Sequence, residues 1–120
     1  MKKLFISVPM KGRSEENIRK SMAKMHKIAE AIWEQELEVI PSYIEDKPPE
    51  DAKHAVWYLG ESIKKMADAD YFIGTSYGDF AGCDVELKTA IRYGILYHTM
   101  PLNIVAPDAA EKISRNCVMG

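Results

Sequence analysis

The chain is poor in the features that most readily assign a function. It has two cysteines, Cys83 and Cys117, too few for a disulfide framework and too widely spaced for a metal-ligand pair. That scarcity fits a reducing, cytoplasmic setting. No apolar run approaches the length of a membrane span. The opening "MKKLFISVPM" carries two lysines, but its short apolar run is broken at Ser7, so no secretory leader is expected. There is no basic block: 16 Lys and Arg stand against 18 Asp and Glu, a formal net charge of −2, which argues against nucleic acid as a partner. The last four residues, "CVMG", have a prenylation-like shape, but glycine is a poor final residue there and the match reads as coincidence.

Nucleotide and hydrolase signatures are missing too. No G-x-G-x-x-G follows the first apolar run, "PMKGRS" lacks the first glycine of a P-loop, and no G-x-S-x-G elbow occurs. His26, His54 and His98 are scattered without ligand spacing. Neither a metal nor a cofactor is called for.

What is present is a regular alternation. At 120 residues, 47% apolar and 28% charged, residues 1–120 read as one globular domain. "LFISV" (Leu4 to Val8) is nearly continuous apolar, as a strand buried on both faces should be. Ser14 offers an N-cap, and Ile18, Met22, Met25, Ile28, Ala29 and Ile32 follow at helical spacing to about Trp33. "LEVIP" (Leu37 to Pro41) predicts a second strand and "EDKPPEDAK" (Glu45 to Lys53) a charged loop. A second helix carries Val56, Leu59, Ile63, Met66 and Ala67 on one stripe. "YFIGTS" (Tyr71 to Ser76) predicts a third strand, "FAGCDVELKTAIRYG" a loop and third helix, "LNIVAP" (Leu102 to Pro107) a fourth strand and "DAAEKISR" a last helix. This order implies a parallel α/β sheet covered on both faces. Ligands of such sheets bind beyond the carboxyl ends of the strands, at a switch in strand order. That singles out Ser7 to Ser14, Thr75 to Glu86 and the charged loop near residue 50.

One residue in the third helix is out of place. Lys88 and Arg92 mark its solvent side, with Asp84 near them, whereas Glu86 falls within the arc of Leu87, Ala90, Tyr93, Gly94 and Tyr97. A carboxylate within a turn of a helix start is favoured by the helix dipole, which would keep it ionised. A fixed carboxylate in a cleft suits displacement at a sugar's anomeric carbon, where the transition state is cation-like. The competing reading is structural: Glu86 satisfies first-turn amides or pairs with a buried partner.

Four segments occur in order and at matching spacing: "FISVPM-KG", "WYLGES", "ADADYFIG" and "GCDVE". Together, over about residues 3 to 105, they resemble an uncharacterised bacterial and phage branch of the nucleoside 2-deoxyribosyltransferase-like superfamily. The resemblance implies a three-layer flavodoxin-like (Rossmann-like) sandwich with a short parallel sheet of four to five strands. It also implies transfer or hydrolysis at the N-glycosidic bond of a nucleoside or nucleoside 5′-monophosphate, with Glu86 as nucleophile. It further implies a homo-oligomer, a dimer or larger; the seven methionines are compatible with that and equally with internal packing.

By the same resemblance, Ser7, Pro9 and Met10 border the sugar and base, and Lys11, Gly12 and Arg13 hold a 5′-phosphate or form a solvated basic turn. Asp79 binds a sugar hydroxyl or is a turn aspartate. Tyr77, Phe80 and Gly82 lie along the site, the two aromatics covering a base or packing the loop. Tyr58 and Trp57 line the pocket, or Trp57 joins the core. Asp70 closes a helix-to-strand turn. Where related enzymes carry an aspartate in the second helix, this chain has Ser62, a poor general acid at neutral pH, with Glu61 beside it. Glu61, Asp79 or water would then supply the proton. The alternative is a non-catalytic nucleotide-binding, sequestering or regulatory protein using the same pocket.

Overall fold

The computed structural model describes residues 1–75 and 80–111. In chain order these form strand β1 (Lys2–Ile6), helix α1 (Glu15–Trp33), strand β2 (Leu37–Val39), helix α2 (His54–Met66), strand β3 (Tyr71–Thr75), helix α3 (Ala81–Arg92), strand β4 (Leu96–Met100) and the short helix α4 (Leu102–Val105). A further helical turn begins at residue 107 and reaches the edge of the described residues at 111. The strands pair in the order β2-β1-β3-β4, all parallel. This is a flavodoxin-like three-layer α/β fold, with four strands among the described residues.

Side-chain alternation along the strands divides the interior into two cores. Leu4, Ile6 and Ile73 pack with Met25 and Ala29 of α1 and with Leu102 and Val105 of α4. Phe5 and Phe72 point the other way, onto Met66 of α2 and Ala90 of α3. These two phenylalanines are register partners, and their rings stack 5.6 Å apart at 8°. Each fully buried ring contributes about 1.5–3 kcal/mol. Beside them a Cβ at Gly74 would lie 2.9 Å from Cε1 of Phe72, so any other residue there would force the buried ring to shift.

Ser14 caps α1 as its sequence position suggests, its side chain accepting the Asn17 N–H. The far end of α1 closes on Glu34, a non-glycine residue in the left-handed region at φ 52°. Asp70 ties two strands together at their amino ends: it accepts the Lys3 N–H at 2.8 Å and returns its own N–H to the Lys3 carbonyl.

The last strand lies earlier than the sequence pattern suggests. Gly94, at φ 73°, ends α3 directly, and Leu96–Met100 continues as the strand beside β3. "LNIVAP" is not a strand: Leu102–Val105 is helical, with Leu102 and Val105 buried one turn apart. Pro101 explains the switch, since it has no N–H to extend the ladder and sits before the new helix. Among the described residues β4 is an edge strand, and Leu96 and Tyr97 are exposed along it.

The connection through α1 carries the chain from β1 to one side of the sheet, and the one through α2 returns it to the other side of β1. The crevice beyond the ends of β1 and β3 is therefore the switch point. The Ser7 N–H still donates to the Ile73 carbonyl at 2.9 Å, so the extended backbone runs one residue past β1. Alternation then places Ser7 on the side of Phe5, facing α2 and α3.

Candidate functional site

Ser7, Ser62 and Glu86 meet there. The Ser7 hydroxyl donates to Glu86 Oε1 at 2.6 Å, and the Ser62 hydroxyl donates to Glu86 Oε2 at 2.6 Å. One donor comes from the end of β1, the other from α2, and the acceptor from α3, so three elements fix one carboxyl group. Among the described residues no cation pairs with Glu86. Burial raises the carboxyl's pKa above its ordinary value; the Ser62 and Ser7 hydroxyls, which bond the ionised form, pull against it without cancelling the rise.

The helix dipole contributes less than the sequence suggests. α3 begins at Ala81, which makes Glu86 its sixth residue, beyond the first turn to which dipole stabilisation is confined. Two aimed hydroxyls do that work instead.

Glu86 lines a cleft of about 850 Å³, within the range of small-molecule sites. Its walls are largely apolar. Val8, Pro9 and Met10 come from the loop after β1, Ile40 and Ile44 from the segment after β2, Tyr58 and Leu59 from α2, and Phe80 with Gly82 from the start of α3. Of the residues expected at the site, Pro9, Met10, Lys11, Arg13, Ser62, Phe80, Gly82 and Glu86 all line this cleft. Ser7 acts from behind, through Glu86. Gly12 supplies a left-handed turn at φ 72° in the loop leading to α1. Trp57 stands off the wall, edge-on to Tyr58 at 5.1 Å. Glu61 also lies off the wall and pairs with Lys64 at 3.1 Å. Tyr77 and Asp79 lie outside the described residues, as does Cys117.

Arg13, expected to hold a phosphate or form a solvated basic turn, is bonded within the fold. Its side chain is 1% exposed and bridges to Asp108 through two bonds, Nε to Oδ2 and Nη2 to Oδ1, both 2.9 Å. Nη1 donates to the Pro9 carbonyl, and Nη2 also reaches the Asn17 carbonyl and the Ser21 hydroxyl. The guanidinium thus joins the cleft loop, α1 and the C-terminal helical turn. The hydrogen bonds it donates, with its charge, hold the Asp108 carboxyl below its ordinary value, against the opposing effect of burial.

Three features of the site are not visible in the sequence pattern. Cys83 lies one turn before Glu86 on the cleft wall, and burial pushes its thiol up to about 11. Ser7 and Arg13 lower that value and the Glu86 charge raises it further. Lys65 donates from α2 to the Pro41 and Tyr43 carbonyls at 2.9 and 2.7 Å, fixing the segment after β2 as a wall. Ala109 completes the wall from the C-terminal turn. The switch-point rule does signal the segment after β2, but it is Ile40 to Ile44 that lines the cleft, not the charged stretch Glu45 to Lys53. Among the described residues no helix is long and apolar enough to cross a membrane. Compared with protein families, curated proteins and solved structures, the chain matches none of them.

Proposed function

We propose that the chain acts at the N-glycosidic bond of a nucleoside or nucleoside 5′-monophosphate, with Glu86 as nucleophile. The observation that carries this reading is a half-buried carboxyl group held at both oxygens by hydroxyls, with no cation partner among the described residues, on the wall of a cleft with room for a nucleoside. The resemblance to nucleoside 2-deoxyribosyltransferase-like enzymes supports it.

In the first step a Glu86 oxygen bonds to the anomeric carbon while the carbon–nitrogen bond breaks, its electron pair leaving with the base, which takes up a proton. Water then displaces the sugar from Glu86 in hydrolysis, or a second base does so in transfer. Serine hydroxyls suit the resting carboxylate, because they stabilise it without the full charge neutralisation that a lysine or arginine would impose. The apolar walls offer stacking surface to a base, Tyr58 and Phe80 above all. Oligomerisation belongs to the same reading and is supported by the exposed apolar side chains of Leu96 and Tyr97 on β4.

The test is chromatography of purified protein incubated with a panel of nucleosides and monophosphates. Free base should appear with wild type and be lost in Glu86→Gln; release by the variant at the wild-type rate would refute the mechanism. A second reading, binding without turnover, is favoured by one observation. Among the described residues that line the cleft, Glu86 is the sole carboxyl group, so none of these residues supplies a second carboxylic acid to protonate the base. Tight calorimetric binding with the ligand recovered intact selects that reading.

A further inference from the structure

We infer that the cleft is built for a nucleoside without a 5′-phosphate, and that Asp108 sets this selectivity by filling the guanidinium fork of Arg13. The inference rests on the reading of the cleft as a nucleoside site and narrows its substrate class.

A guanidinium offers a carboxylate and a phosphate the same parallel pair of N–H donors. In this chain the Nε–Nη2 edge of Arg13 already holds a carboxylate, with Nε on one Asp108 oxygen and Nη2 on the other, both at 2.9 Å. The remaining bonds of Arg13, to the Pro9 and Asn17 carbonyls and the Ser21 hydroxyl, fix it in place, so it cannot swing to a new anion without dismantling the loop. Asp108 itself is partly exposed, with 28% of its side chain accessible, so the carboxylate that occupies these donors also reaches solvent beside the cleft residues Arg13 and Ala109.

The neighbouring helix end is partly taken up as well. Ser14 already caps the Asn17 N–H. Glu15 and Glu16 in the first turn of α1 are exposed and paired with Arg19 and Lys20, so their charges act weakly through water. Lys65 on the cleft wall is engaged with two backbone carbonyls. Lys11 is exposed, so its charge acts through water and contributes little.

The experiment compares each deoxynucleoside with its own 5′-monophosphate by calorimetry and by base release, in wild type, Asp108→Asn and Asp108→Ala. Wild type should favour the nucleoside by about tenfold or more, the range a single charge-assisted interaction supplies. Both variants should narrow or reverse that ratio through a gain for the monophosphate, with nucleoside affinity nearly unchanged. Circular dichroism melts establish that the variants fold, and the wild-type ratio decides the selectivity whether or not they do. Equal handling of the two ligands, or a preference for the monophosphate, by wild type would overturn the selectivity while leaving the glycosidic reading standing. A folded Asp108→Asn with an unchanged ratio would overturn the role of Asp108. If wild type neither binds nor cleaves any member of either set, the nucleoside reading fails and this inference fails with it.

Discussion

Replacing Ser62 with alanine tests the physical basis of the site without presuming its activity. The substitution deletes the hydroxyl that donates to Glu86 Oε2 at 2.6 Å and leaves the Ser7 bond to Oε1 intact. Hydrogen bonds to charged groups contribute about 1.5–3 kcal/mol. Glu86 lines an open cleft where water can replace part of the lost bond, so the low end of that range is expected, about 1.5–2 kcal/mol at neutral pH. The sign with pH follows from which form the bond favours. Glu86 already has a raised pKa in the folded protein, and losing a donor to its ionised form raises it further. The penalty is therefore full above the folded-state pKa of the variant. It shrinks as pH falls toward the ordinary carboxylate value, because both folded proteins then hold the proton. Urea unfolding of wild type, Ser62→Ala, Glu86→Gln and the double variant at neutral and acid pH measures this directly. The double-mutant cycle at neutral pH should give a coupling near 1 kcal/mol, characteristic of groups in direct contact. A coupling below about 0.3 kcal/mol, the scatter seen for independent sites, would refute the clasp. So would a Ser62→Ala penalty that does not change with pH. If the protein turns over nucleosides, the acid limb of its pH profile should move upward in the same variant.

Two further outcomes bear on the surroundings of the site and on the frame. Cys83, with its thiol pushed up to about 11 by burial, should react with iodoacetamide at pH 8 roughly a hundredfold more slowly than the same residue in urea; peptide mass spectrometry separates it from Cys117, and comparable rates would contradict its burial beside Glu86. Glu34→Gly should stabilise the fold by about 0.5–1 kcal/mol, because glycine removes the left-handed strain at φ 52° and returns part of the gain as chain entropy; a fall in urea midpoint would refute that account.

Local patterns were enough to place most of the frame. "LFISV" and "YFIGTS" read as strands because apolar residues face both layers, and Ser14 reads as a cap because a serine precedes a helical stripe. The pattern misleads after α3, where Tyr93, Gly94 and Tyr97 continue the apolar arc on paper. A positive φ at Gly94 cuts the helix there, and the following residues fill an edge strand whose exposed Leu96 and Tyr97 give no burial signal. Glu86 is conspicuous in the sequence because it breaks an amphipathic stripe. Its partners are not, since Ser62 is 24 residues away and Ser7 is 79. Arg13 resembles a free cation for the same reason: its counter-ion, Asp108, is 95 residues distant. Pairings across the switch point are set by topology, and short-range periodicity carries no trace of them.

The serine at position 62 has a consequence for how the carboxyl group can work. A second carboxylate within hydrogen-bonding reach of Glu86 would make the two groups share a proton, and one pKa would rise strongly. Ser62 avoids that: its hydroxyl donates to Glu86 and adds no negative charge. Burial still raises the Glu86 pKa, so the clasp offsets the loss of water only in part. What remains is a carboxyl group oriented from two sides and carrying residual solvation strain, which a developing positive charge in the cleft would relieve. That strain is electrostatic, so a cation-like sugar relieves it and a neutral stacking ligand does not. On the proposed glycosidic reading, this geometry serves Glu86 as a nucleophile.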